Sequence, residues 1–212
     1  MDLALLLDVS SSMSGDLDGL RDFVQEIVWQ FALSQTSTRV SIIGFNNEAT
    51  VWVNNSVSEA TIMQAVEDAI GSLRSQTCIS CALRVAWSQT ALQGREDAQP
   101  TFILLSDYYQ TAGGTNDKAA DEADVVKAGG GRILAVGLSE GGLDEVQAAL
   151  VDEVASAPAE VYTSPLDAAA DLLAALPSQV GAICTEVFLA CVLSSHCAQP
   201  AVLAVHGQAF VA

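Results

Sequence analysis

At 212 residues, half of them hydrophobic and 16% charged, the chain has the size and composition of one folded α/β domain with an extension, not of a disordered polymer. Its 8 Lys and Arg stand against 26 Asp and Glu, a formal net charge of −18, which repels phosphate backbones and anionic membranes and argues against nucleic acid as a partner. Such a surface suits cations and basic proteins, although solubility alone accounts for much of the acidity.

The first element is the apolar run Leu3-Ala4-Leu5-Leu6-Leu7, closed by Asp8-Val9-Ser10-Ser11-Ser12. A continuous apolar run ending in small polar residues predicts a strand buried on both faces that empties into a loop at its carboxyl end. In extended chain Asp8, Ser10 and Ser12 project to the same side. One carboxylate and two hydroxyls then converge where open α/β sheets hold ligands. These are hard oxygen donors, suited to Mg²⁺, Mn²⁺ or Ca²⁺; an ordinary serine-rich loop is the competing reading.

Ser14 or Asp16 next caps a helix whose apolar positions Leu20, Phe23, Val24, Ile27, Val28 and Phe31 fall at helical spacing. Arg39 to Phe45 reads as the second strand, Asn46-Asn47-Glu48 as a turn, and Ala49 to Val53 as a short strand returning beside it at an antiparallel edge. Asn54-Asn55-Ser56 matches a glycosylation acceptor and equally a surface turn. Ser58 caps a second helix with Ile62, Val66 and Ile70 inward, ended by Gly71-Ser72. A loop from Leu73 to Thr77 leads into a third helix through Cys81, Leu83, Val85, Ala86 and Trp87.

Thr101 to Ser106 is the fourth strand, again an apolar run that ends at an acid, Asp107. The glycines at 113 and 114 lack the Lys and spacing of a phosphate-binding loop. Lys118 to Ala128 is a helix closed by three glycines, Ile133 to Gly137 the fifth strand, Leu143 to Val154 a helix, and Glu160 to Thr163 the sixth strand. Asp167 to Leu176 forms the last helix, stopped by Pro177. This alternation predicts an α/β fold: a doubly wound, Rossmann-like, mostly parallel six-stranded sheet with one antiparallel edge strand and helices on both faces. That domain occupies residues 1–177; residues 178–212 are a cysteine-containing extension without an assigned role, too polar for a membrane span.

Cys78 and Cys81 flank the loop that ends at Thr77, and Cys184, Cys191 and Cys197 cluster in the extension. A CxxC with no second pair and no nearby His is poor evidence for zinc. Two small buried residues at a helix start, or a local disulfide stiffening the loop, are the open readings. Met1-Asp2 runs straight into the first strand without a secretory leader, so the domain is expected to be either intracellular or a piece of a larger secreted protein. Five cysteines favour the second, an extracellular or cell-surface setting, over a cytoplasmic one.

Asp8, Ser10 and Ser12 form the Asp-x-Ser-x-Ser pattern, Thr77 sits on a second loop, and Asp107 follows the fourth strand. In this the chain resembles the von Willebrand factor A domain family, with its metal ion-dependent adhesion site, across about residues 2 to 177. The resemblance implies that Asp8, Ser10, Ser12, Thr77 and Asp107 hold a divalent cation, Mg²⁺ first, with Mn²⁺ or Ca²⁺ as alternatives. Many relatives have Gly after the last Asp, whereas Tyr108-Tyr109 follow here. Either tyrosine could line a partner-contact rim or pack beneath the loop.

The function so implied is a divalent-metal-dependent, adhesion-type protein-binding module, whose open coordination position accepts an Asp or Glu carboxylate of a protein partner. The alternative within the family is an intracellular adaptor or assembly subunit beside an ATPase; formed disulfides favour the first and free thiols the second. Catalysis is not expected. His196 and His206 both lie in the extension, and neither aspartate is left over as a general base. Some relatives couple a shift of the last helix to the metal site, which would make Asp167 to Leu176 a switch.

Overall fold

The computed structural model describes residues 1–29, 31–112, 116–138, 142–157 and 161–164. Six strands form one sheet: β1 (Asp2–Asp8), β2 (Arg39–Phe45), β3 (Ala49–Ser56), β4 (Pro100–Ser106), β5 (Arg132–Leu138) and β6 (Val161–Ser164). Their spatial order is β3-β2-β1-β4-β5-β6, with every neighbouring pair parallel except β2 and β3. The helices are α1 (Leu17–Trp29), α2 (Glu59–Ile70), α3 (Ile79–Gln93), α4 (Asn116–Ala128) and α5 (Glu145–Val154).

The uninterrupted apolar runs are explained by two cores, one on each face of the sheet. From β1, Leu3, Leu5 and Leu7 pack with Phe23, Val24 and Ile27 of α1 and Ile62 and Val66 of α2. Ala4 and Leu6 point the other way, to Ile79, Leu83 and Ala86 of α3, Ala119, Ala123 and Val126 of α4, and Leu150 of α5. A strand covered on both sides gains from apolar side chains at every position, at roughly 25 cal/mol per Å² of apolar area buried.

Most boundaries shift by one or two residues from the sequence reading, and three of the differences have a clear local reason. The chain enters α1 through a 3-10 helix at Ser11–Asp16, so α1 is not separately capped, and Phe31 packs on the core from beyond the helix end. β3 runs on through Ser56, taking Asn54-Asn55-Ser56 out of the expected turn. Asn54 accepts the Ser41 hydroxyl at 2.8 Å and donates to Gln93, while Asn55 takes a left-handed backbone (φ 51°) where the β2–β3 register slips. Lastly, α5 begins two residues later than expected, at an Asp144 capping box with Gln147.

The three glycines after α4 serve close packing as well as chain reversal. A Cβ on Gly129 would meet the Trp87 ring at 2.1 Å, and Gly130 has φ +87°. No helix among the described residues is long and apolar enough to cross a membrane. The expected last helix, Asp167 to Leu176, and the extension at 178–212 with Cys184, Cys191, Cys197, His196 and His206 lie outside the described residues.

Candidate metal centre

Strand order reverses between β1 and β4, the place where an open α/β sheet leaves a crevice at its carboxyl edge. Leu7 of β1 pairs with Leu105 of β4, so the next residues out, Asp8 and Ser106, stand side by side, with Asp107 one step beyond. Asp8 is fully buried. Its Oδ1 accepts the Ser10 N–H at 2.9 Å and its Oδ2 accepts the Ser106 hydroxyl at 2.6 Å. Burial, reinforced by the Asp107 charge and only partly offset by these hydrogen bonds, pushes its carboxyl up to about 7. No Lys, Arg or His pairs with Asp8 or Asp107 among the described residues.

Ser10 and Ser12 do meet, but not through the extended geometry read from the sequence. Ser10 has extended backbone (φ −78°, ψ 164°), and Ser11 then opens the 3-10 helix, which turns Ser12 back toward it. The Ser10 and Ser12 hydroxyls lie 2.9 Å apart. Ser10 is buried and Ser12 exposed, so the pair runs from the floor of the crevice to solvent.

Thr77 reaches the crevice from the loop between α2 and α3 and is buried. That loop is held on two sides. Toward β1, the Arg74 N–H donates to the Val9 carbonyl at 3.2 Å and Ser10 pairs with Arg74 in an isolated parallel bridge. Toward β4, Thr77 donates its N–H to the Thr111 hydroxyl at 2.9 Å and accepts the N–H groups of Thr111 and Ala112 at 3.0 and 2.9 Å. Ser80 adds an N–H bond to the Gln110 side chain at 3.2 Å. The three loops carrying Asp8, Thr77 and Asp107 are thereby tied to one another.

Beside Thr77, Cys78 occupies the N-cap position of α3 and its sulfur accepts the Cys81 N–H. The two sulfurs lie at disulfide distance, with Cα atoms 5.2 Å apart. Asp107 is almost buried; its Oδ1 accepts the Tyr109 N–H at 3.0 Å and its carbonyl accepts Gln147 Nε2 from α5 at 2.9 Å.

The two tyrosines part company. Tyr109 is 59% exposed, whereas Tyr108 is 1% exposed and is not a rim residue. Its backbone is left-handed (φ 58°), which swings the ring into the core against α3 and α4, where the hydroxyl donates to the Leu104 carbonyl at 3.3 Å. Burial raises the Tyr108 phenol well above its ordinary range. A glycine would take that backbone at no steric cost; tyrosine accepts a penalty of about 1–2 kcal/mol and offsets it with ring burial.

Sequence reasoning missed Ser106, Gln110, Thr111, Gln147 and Arg74. Only Ser106 carried a local signal, as a hydroxyl at a strand end beside a candidate ligand.

These residues fit a hard divalent cation: two carboxylates without a counter-charge, with the Ser10 and Ser12 hydroxyls beside them. The described residues hold no group of three or more His, Cys, Asp or Glu that could bind a metal by themselves, so a cation here would need the hydroxyl oxygens as well. The family model of the von Willebrand factor type A domain matches residues 2–175. The chain belongs to that family.

Solved structures similar to this A domain include proximal thread matrix protein 1 from the mussel byssus with a zinc-occupied adhesion-site motif, 22% identical with a TM-score of 0.70. That match covers 84% of this chain and 45% of the mussel protein, so the A domain here spans less than half its length. Manganese-loaded TRAP protein of Plasmodium vivax is 18% identical over 71% of this chain and 61% of its own, with a TM-score of 0.62. The pilus adhesin SpaC of Lactobacillus rhamnosus GG is 15% identical over 85% of this chain and 30% of its own, with a TM-score of 0.71. At these identities the likeness is one of fold. A comparison with curated protein sequences gives no match.

Proposed function

We propose that the chain is a divalent-cation-dependent protein-binding module of the adhesion type, which captures an Asp or Glu side chain of a partner protein. The observation that carries this reading is Asp8: a fully buried carboxylate beside a second one, with hydroxyl and N–H partners but no Lys, Arg or His paired with it among the described residues. Leaving such charge uncompensated in low dielectric is costly, and a divalent ion removes the cost. The zinc-occupied adhesion-site motif of the mussel protein and the manganese-loaded TRAP protein support a divalent cation in this reading.

In this reading Asp8 and Asp107 supply the charge, Ser10, Ser12 and Thr77 supply neutral oxygens, and Mg²⁺ is the preferred ion, ahead of Mn²⁺ and Ca²⁺. A bound ion supplies an electrophilic position that a partner's carboxylate completes. Two carboxylates balance the charge of a divalent ion, so it is the open coordination position, not a net positive charge, that draws the partner's carboxylate. Ser106 holds Asp8, the Thr111 and Ala112 amides hold Thr77, and Gln147 holds the Asp107 loop, while Tyr109 stands at the rim. Residues 1–177 form the module and 178–212 an appended segment.

An extracellular or cell-surface setting within a larger protein fits a closed Cys78–Cys81 disulfide; mass mapping of unreduced protein that found both thiols free would favour the intracellular adaptor instead. The main test is calorimetric titration of chelator-stripped full chain with Mg²⁺, Mn²⁺ and Ca²⁺, repeated on Asp8→Ala and Asp107→Ala. Saturable binding of one ion per chain, lost in both folded variants, is expected. No binding even with millimolar acetate to fill the open position would overturn the reading.

A further inference from the structure

All eight basic residues of this acidic chain fall among the described residues, and six of them form ion pairs with carboxylates. Arg132 is engaged as well. Arg74 has no ion-pair partner among the described residues, and it is exposed. Its position is not incidental. The backbone of Arg74 is bridged to Ser10 and bonded to Val9, so the residue is rooted beside the candidate metal centre with an exposed side chain. Two residues before it, the Ser72 carbonyl accepts Asn46 Nδ2 at 3.1 Å, which anchors the loop from the β2 side.

The guanidiniums of Arg21, Arg39, Arg84 and Arg95 each meet a carboxylate of their own chain. Arg39, for example, grips Asp2 with Nε and Nη2 at 2.9 and 2.7 Å. An anionic partner approaching a surface of net charge −18 is repelled nearly everywhere; it finds an open coordination position at the cation and positive charge at Arg74. We infer that Arg74 is a specificity-determining residue that takes a second carboxylate of the partner, next to the one captured at the cation, so that the module prefers a di-acidic peptide segment. The inference rests on the carboxylate-capture reading and adds its ligand class. An arginine fork suits this role because it meets a carboxylate with two parallel N–H bonds, which a lysine cannot reproduce. In an extended partner, acids two residues apart project to one side about 6.7 Å apart.

The test uses the full chain saturated with Mn²⁺ and fluorescent peptides blocked at both termini, read by anisotropy. One peptide carries a single Glu in a Gly/Ser background; the other carries a second Glu two residues on. The second Glu is expected to tighten binding by about 3- to 10-fold, the range of a rim-exposed ion pair with good geometry. Arg74→Gln should erase that preference while leaving the mono-acidic peptide and Mn²⁺ affinity unchanged, and Arg74→Lys should restore only part of it. Arg84→Gln, which changes net charge equally but sits on α3 beside Glu122, should keep it. An equal affinity for the two peptides in the native chain, or a preference that survives Arg74→Gln, overturns the role of Arg74 alone. Failure of the mono-acidic peptide to bind at all, with Mn²⁺ demonstrably in place, overturns the capture reading itself.

Discussion

β1 begins and ends with a buried aspartate, and the two ends of this strand have opposite electrostatics. At the amino end, Asp2 accepts Arg39 Nε and Nη2 at 2.9 and 2.7 Å, and the Arg95 backbone N–H and Nε at 2.8 and 3.1 Å. Burial works to raise its carboxyl, but the hydrogen bonds and charges of Arg39 and Arg95 outweigh it and hold Asp2 below the ordinary range. At the carboxyl end, Asp8 faces Asp107 and neutral donors only, and is pushed up to about 7. The residue type and strand are shared; Asp8 lies deeper, which adds to the rise of its carboxyl, and the counter-charge is what reverses the direction at Asp2. One end is closed on itself by two arginines; the other has no cationic side chain beside it among the described residues.

The sharpest way to break the contrast is to remove the carboxyl-end charge with Asp8→Asn. Because folding raises the Asp8 carboxyl from 3.8 to about 7, the folded metal-free protein binds more protons than the unfolded chain between those values. The stability this group contributes is therefore full below about pH 4, falls as pH rises, and is gone above about pH 7. At about 1.4 kcal/mol per pH unit, the interval corresponds to roughly 4 kcal/mol. Urea unfolding of metal-free protein at pH 8 should show Asp8→Asn more stable than the native chain by up to about that amount. Saturating Mg²⁺ should flatten the pH dependence in the native chain and do nothing to the variant. Equal stability of the two metal-free proteins at pH 8 would mean that Asp8 is not under electrostatic load.

The mirror experiment, Asp2→Asn, should act in the opposite direction. It leaves two guanidiniums facing each other, both mostly buried, and removing one partner of such a cluster costs about 3 kcal/mol. Urea midpoints should drop accordingly at pH 7, with Mg²⁺ affinity unchanged, since the substitution lies at the far edge of the sheet. A loss of Mg²⁺ binding without a loss of stability would reverse the assignment of the two ends.

How far the sequence foretold this asymmetry depends on the range of the forces involved. The strands were readable because burial on both faces leaves an uninterrupted apolar run, as in Leu3 to Leu7 and Phe102 to Leu105, and the acid at the end of each run marks the crevice. Ser10 and Ser12 were readable as a pair, though their meeting depends on the 3-10 turn and not on extended chain. Tyr108 was not readable: its fate follows from a left-handed backbone in a loop, and burial on that scale is decided by the space between α3, α4 and the sheet. The ion pairing of Asp2 was equally hidden, because its partners come from positions 39 and 95 and no local pattern links them.

Thr111 shows the same limit at the Asp8 end and offers the finest cut into it. Its hydroxyl accepts the Thr77 N–H across 34 residues of sequence, and its own N–H returns a bond to the Thr77 carbonyl. Thr111→Val keeps the shape and the returning backbone bond but leaves the buried Thr77 N–H without its acceptor. Stability should fall by about 1 kcal/mol, the usual net worth of one such bond. Cation affinity should fall by more than stability alone explains, by about tenfold, because a partner that orients a ligand acts on the ligand's geometry. Thr111→Ser, which retains the hydroxyl, should restore affinity even if it does not restore all of the stability. Calorimetric titration of both variants with Mn²⁺ separates the two effects: an affinity unchanged in Thr111→Val would show that Thr77 holds its position without the β4 loop, or is not a ligand.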